Sequence, residues 1–152
     1  MANGRYVIDE RRIMNGSWGQ VWLEDELVGE AYGIQAKCNF NKETVSMCGT
    51  MAQGHKITSY NGTGSLKLRK TSSRMAKLIG PDIRNGKDVR FTVIAKLDDP
   101  DADGAEKVAI YGVSFDDLTL ADWEAGKITD TECPFTFSSY RFLDQVGGLQ
   151  EA

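Results

Sequence analysis

The stretch MAQGHKITSYNGTGSLKL, residues 51–68, gathers the residues best suited to chemistry. It holds His55, the only histidine of the chain, and the cluster Gly62-Thr63-Gly64-Ser65. A glycine-rich loop cradles phosphate when it has the spacing GxxxxGK[ST], which wraps backbone amides around the anion and brings a lysine to it. No such spacing occurs in the chain. The dinucleotide fingerprint GxGxxG fails as well, because Lys67 stands where its third glycine belongs and a strand-like run follows where a helix should. The two glycines read instead as relief for a tight turn at Asn61-Gly62, ahead of a strand. A histidine acting as general base needs a nucleophile or an orienting carboxylate beside it. His55 sits in a polar segment of a chain without GxSxG, and reads as a surface or interface residue.

Metal chemistry fares no better. A zinc site wants ligands in spaced pairs, and Cys38, Cys48, Cys133 and His55 are not paired. Asp99-Pro100-Asp101-Ala102-Asp103-Gly104 matches the opening DxDxDG of a calcium loop. The twelfth position of such a loop carries a bidentate glutamate between helices. Here that position is Ile110, inside a strand-like run. The expectation is a solvated hairpin loop between Leu97 and Val108, with calcium binding no tighter than about millimolar. Asp116-Asp117 are adjacent, so on a strand they point to opposite faces and make no acid/base pair. No interleaving of aromatic and basic residues marks a single-strand nucleic-acid site.

The elements that would position these residues are mostly strands. In AYGIQAKCNF, Tyr32, Ile34, Ala36, Cys38 and Phe40 alternate with polar residues or glycine, the signature of a half-buried strand. GSLKLRK repeats it through Leu66 and Leu68, and DVRFTVIAKLDD through Val89, Phe91, Val93, Ala95 and Leu97. EKVAIYGVSFDDL is apolar almost throughout, which fits cover on both faces. SWGQVWL and CPFTFSSYRFL complete about seven or eight strands. Turns are expected at Asn15-Gly16, Asn61-Gly62, Asn85-Gly86 and Asp103-Gly104. Met75, Leu78 and Ile79 fall at helical spacing, which predicts one short amphipathic helix over about 72–80. Ser72 or Ser73 would cap it and Gly80-Pro81 would stop it. LADWEAGKI reads as a loop pinned to the body by Trp123. Residues 41–61 are mostly polar and weakly periodic, so they predict a long loop with one short strand, ETVSM.

Mainly β, two packed antiparallel sheets in a sandwich- or barrel-like arrangement with one short α-helix, is the architecture these signals add up to. The 152 residues suit a single domain over 1–152, with a frayed end over about 145–152. A net charge of −4, with 22 acidic and 18 basic residues well mixed, argues against a dedicated nucleic-acid binder. No apolar run approaches the roughly 20 residues of a membrane span, so no membrane insertion by this chain is expected. MANGRYVIDERR lacks the apolar core of a signal peptide, and an odd number of cysteines without CxxC fits a reducing cytoplasm. Cys38 and Cys48 are expected to act as small buried hydrophobes.

With no catalytic set, what remains is a small β domain of a kind that often works by assembling. CGTMAQGHKITSYNGTGSLKL followed by KTSSRM, then RFTVIAKLDDP, EKVAIYGVSFDDLTLADWEAG and TECPFTF resembles the tail tube protein of contractile-tailed phages, defective prophages and phage-tail-like bacteriocins. The resemblance spans about residues 15–142, and GHK…NGTG and PFTF are its most specific parts. It implies a non-enzymatic subunit without cofactor or metal. Six copies would close into a ring, and rings would stack into a hollow conduit for DNA or for membrane puncture. Its implied partners are further copies of itself, a tail sheath, a tape-measure protein and a baseplate, with DNA passing and no sequence-specific binding. It implies a place in a virion tail or phage-like particle assembled in the bacterial cytoplasm. Residues 41–61 become an inter-ring loop, with Glu43, Val45, Met47, Met51, His55 and Lys56 as self-assembly candidates. Gln35, Lys37, Asn39, Lys67 and Arg69 become candidates for the lumen face. The alternatives left open are another ring-forming tail or baseplate component, a small calcium- or ligand-binding β module, and a small enzyme whose site assembles only in space.

Overall fold

The computed structural model describes residues 8–147. In chain order it contains β1 (Gly19–Leu23), β2 (Glu26–Leu27), β3 (Ala31–Val45), β4 (Gly54–Arg69), α1 (Arg74–Arg84), β5 (Phe91–Leu97), β6 (Glu106–Phe115), β7 (Asp130–Phe137) and β8 (Ser139–Asp144), with short 3-10 turns at Glu10–Arg12 and Gly16–Trp18. The mainly β fold with its one α-helix is as the alternation requires. The two expected sheets are halves of one antiparallel sheet, in the order β2-β1-β5-β6-β7-β4-β3, with β8 also paired to β6. β6 joins the halves. Its residues 107–111 pair with β8 and its residues 114–115 with β7. The change falls at Gly112, at φ 66°, where an added Cβ would strike the Ser138 side chain. Ser138 in turn separates β7 from β8 and donates its N–H to the Tyr111 carbonyl at 3.1 Å. CPFTFSSYRFL is therefore two strands meeting at a corner.

Both halves feed one core. Val21, Leu23, Phe91, Val93, Ile110 and Val113 come from the first, and Leu66, Leu68, Cys133, Phe135 and Phe137 from the second. A file of rings runs from Phe91 to Phe115 to Phe135 to Phe137, with centroids 5.8, 6.0 and 6.3 Å apart. Such tilted and edge-on pairs add to the area each ring removes from water. In β6 the adjacent Ala109 and Ile110 are both buried, so this strand is covered on both faces.

Helix α1 lies on this core through Met75, Ile79 and the partly buried Leu78. It runs through Gly80-Pro81 to Arg84, past the expected stop. Proline crowds the Cβ of the residue before it, and Gly80 has none, so the helical conformation stays open to it. The last turn recloses with the Asn85 N–H on the Pro81 carbonyl at 3.2 Å, and Gly86 ends the helix at φ 73°. Ser73 is the N-cap residue but makes no side-chain cap bond.

Arg74 ties the first turn of α1 to the β2–β3 connection, donating to Glu30 at 2.6 Å and pairing with Glu26 at 3.1 Å. The hydrogen bond from Arg74 holds the Glu30 carboxyl below its ordinary pKa of 4.5. A depressed carboxyl stabilises the fold above its unfolded pKa, and that contribution disappears as pH falls through the folded value. Glu30→Gln is therefore expected to cost about 1.5 kcal/mol at neutral pH. The gap to wild type should narrow as pH drops below about 4.5. Denaturation midpoints of both proteins along a pH series check this, and a gap that stays constant into acid would refute it.

Candidate assembly surface

Strands β3 and β4 outrun the body. They pair with each other from Ala31↔Leu68 out to Val45↔Gly54. On its other side β4 is covered by β7 only from Gly62 to Arg69. Beyond Gly62 the hairpin continues as a free two-stranded arm. The segment 41–61 is thus not a loop: Asn41–Val45 extend β3, Gly54–Asn61 belong to β4, and only 46–53 form a connecting tip. Of ETVSM, Glu43-Thr44-Val45 is the end of a long strand and not a short one of its own, while Ser46 and Met47 belong to the tip.

The Asn61-Gly62 turn is not there either, since both residues lie inside β4. The glycines seat aromatic rings. Gly62 is the register partner of Phe137 and Gly64 of Phe135. A Cβ on Gly62 would come within 2.5 Å of the Phe137 ring. A Cβ on Gly64 would lie 2.7 Å from Phe135 Cζ and collide with the backbone carbonyl oxygen of Gln35. The glycines of this cluster make room for two core phenylalanines.

Cross-strand partners share a face, so the register sorts the candidates. One face carries Gln35/Ser65, Lys37/Thr63, Asn39/Asn61 and Asn41/Ser59, and also Lys67 and Arg69. The five lumen candidates thus stand together on one polar face. Asn39 Nδ2 donates to Thr63 Oγ1 at 2.8 Å and Asn41 Nδ2 to Ser59 Oγ at 2.9 Å, which stiffens the arm. Arg69 pairs with Asp130 at 2.7 Å and lies 3.9 Å over the Tyr32 ring, while Lys67 is opposite Glu132.

The other face continues the core row outward, from Ile34/Leu66 through Ala36/Gly64 and Cys38/Gly62 to Phe40/Tyr60. A bulge skips Thr58, whose Oγ1 donates to the Asn41 carbonyl at 3.2 Å, and Ile57 then joins this same face opposite Lys42. Phe40 and Ile57 are 58% and 53% exposed, and Tyr60 is held by its hydroxyl to the Ser138 carbonyl at 3.2 Å. These three exposed apolar side chains lie outside the six candidates that sequence reasoning named.

The six self-assembly candidates all fall on the distal arm, on different faces. Glu43, Lys56 and Val45 are on the polar side, His55 is on the apolar side opposite Thr44, and Met47 and Met51 are at the tip. All six are exposed, Met51 completely. Cys48 is exposed at the tip, not buried. Cys38 is half-buried against the core, and Cys133 is buried in β7, where desolvation pushes its thiol up to about 11. Trp123 does not pin its loop. It is 78% exposed, with Leu120 and Ile128 beside it in sequence also exposed.

The aspartate loop uses its oxygens within the chain. Asp99 is buried, and its carboxylate accepts the N–H groups of Asn15 at 2.8 Å and Asp101 at 2.9 Å. Asp103 accepts from Arg12 Nε at 3.0 Å. The loop fastens the amino-terminal turns to the body.

A family model described as phage tail tube protein matches residues 6–144. The chain belongs to this family. Among its relatives, the phage-like element PBSX protein XkdM of Bacillus subtilis (strain 168) is 32% identical over 136 residues, covering 88% of this chain and 92% of that one. In fold this tail tube protein resembles the tube-terminating cap of the anti-feeding prophage, with a TM-score of 0.70 at 14% identity over 95% of this chain and 100% of that one. It also resembles a chain of the sheath-tube complex of the PVC extracellular contractile injection system, with a TM-score of 0.65 at 11% identity over 91% and 93%. The role of a tail tube protein is structural, as a component of a phage tail or phage-like particle.

Proposed function

We propose that this tail tube protein closes into six-membered rings that stack into a hollow tube, with the β3–β4 arm reaching from one ring to the next. The observation that carries this reading is the arm itself. A ribbon that leaves the body at Gly62 and carries Phe40, Ile57, Val45, Met47 and Met51 exposed gains nothing for a monomer. It also presents unpaired strand edges, which soluble proteins ordinarily cover or blunt. A neighbouring subunit supplies the cover. The number six follows the resemblance to contractile-tail tubes.

The polar face of the hairpin suits a lumen. Lys37, Lys67 and Arg69 are interspersed there with Asp130 and Glu132, so DNA would meet no continuous basic track. Phosphate binding grows with the number of cations presented together, and a mixed face lets a polyanion slide past. Sheath, tape-measure protein and baseplate are the partners of such a tube in a contractile tail, assembled in the host cytoplasm. Negative-stain images and sedimentation of the purified chain test the reading. The expected result is concentration-dependent rings or tubes with a stain-filled centre. A sharp monomer at high concentration with no assembled species in the images would overturn it.

A further inference from the structure

Among the described residues the sheet does not close. Its end strands β1–β2 and β3 approach each other without pairing, and a groove of about 630 Å³ fills the seam. Val21, Leu27, Val28, Ala31, Ile34 and Leu97 line it with apolar surface. Gly16 and Gly29 also border it, and an added Cβ on either would meet nothing within 4 Å. The groove is where the core row opens to solvent, and the arm is where the same row runs on past the body as Phe40 and Ile57.

We propose that the arm of one copy seats its Phe40–Ile57 stripe in the β1–β2/β3 groove of a second copy. The proposal deepens the assembly reading and rests on it. An arm that fills the groove comes from another copy, for a geometric reason. The groove lies at the start of β3, at Ala31 and Ile34, and the stripe begins at Phe40 of the same strand. At about 3.3 Å per residue, roughly 20–30 Å of extended strand separates them. A strand cannot fold back onto its own beginning, but a copy displaced along the strand direction brings its stripe to the groove. Because stripe and groove are different patches, the contact is heterologous. Each copy then offers a free groove at one end and a free arm at the other, which propagates the assembly along the strand axis. The apolar lining matches the apolar stripe, and the polar face of the arm stays turned away from it.

Cross-linking of the full chain in a Cys48→Ser background tests this. Ile57→Cys and Leu27→Cys together, oxidised under assembly conditions, are expected to give a ladder of disulfide-linked multimers, and either one alone at most dimers. Gly29→Arg, at a position where an added Cβ meets nothing within 4 Å, should cut tube yield and the ladder at least tenfold while leaving the thermal transition in place. Tubes that form without a ladder, or that tolerate Gly29→Arg, overturn the groove as the receiving site and leave the assembly reading intact. A cross-link within one chain overturns it, and so does a ladder obtained with Trp123→Cys in place of Ile57→Cys. A parent chain forming neither rings nor tubes overturns both readings.

Discussion

Gly64→Ala is expected to destabilise the fold by about 3 kcal/mol, the upper part of the range for forcing an extra methyl into a packed site. The reason is what the methyl meets. One neighbour is the Gln35 carbonyl oxygen of the paired strand, another is Ala36 Cα at 3.0 Å, and the third is Phe135 Cζ at 2.7 Å. Two of the three are backbone and cannot rotate away without breaking the β3–β4 register. The third is a fully buried ring at the centre of the aromatic file. Gly62→Ala should cost less, because its close neighbours are all in the Phe137 side chain. Gly16→Ala, with open space around it, should stay within about 0.5 kcal/mol of wild type. Denaturant midpoints of the three variants give the order directly. Pairing Gly64→Ala with Phe135→Leu should recover only part of the loss, since the carbonyl clash remains. A Gly64→Ala protein as stable as Gly16→Ala would mean that the glycine does not seat the ring.

Thr58 explains why the arm does not read as strand. Ile57 and Tyr60 are three apart, so a strict period of two assigns them to opposite faces. The bulge takes one residue out of the count and returns both to the apolar side. Asn61-Gly62 adds to the confusion, because its local chemistry is that of a turn, whereas the need for glycine comes from Phe137, 75 residues later in sequence. Long-range steric demand of this kind leaves no periodic trace. Where no bulge intervenes, the alternation is faithful. Leu66 and Leu68, and Cys133, Phe135 and Phe137, are all buried, with Lys67, Pro134 and Thr136 between them. The same alternation placed Gln35, Lys37 and Asn39 on one face, and the register adds Lys67 and Arg69 to it. Trp123 misleads for the opposite reason. A large aromatic in a loop is ordinarily an anchor, and here it is left in solvent, which composition alone does not reveal.

Replacing residues 44–56 by a short Gly-Ser linker is expected to abolish tube growth while leaving the fold intact. No side chain in this span is buried, so its removal takes nothing from the core. The shortened hairpin can also close, because Lys42 and Ile57 are register partners and a linker of a few residues spans such a pair. The thermal transition should therefore stay within a few degrees of wild type. Assembly is another matter. Val45, Met47 and Met51 are exposed in the monomer, and burying each on a neighbour contributes about 1.5–3 kcal/mol at best, before the cost of ordering the arm. That surplus recurs at every subunit of a ring, so ring-on-ring association falls steeply when the arm is lost. The unpaired edges of the distal ribbon go with it, and with them any strand pairing to a neighbour. Images of the variant should show folded protein without long tubes, at concentrations where the wild type forms them. Long tubes from the shortened chain would mean that stacking uses another surface. A shortened chain that fails to fold would mean that the distal arm supports the body, against the exposure of every side chain it carries.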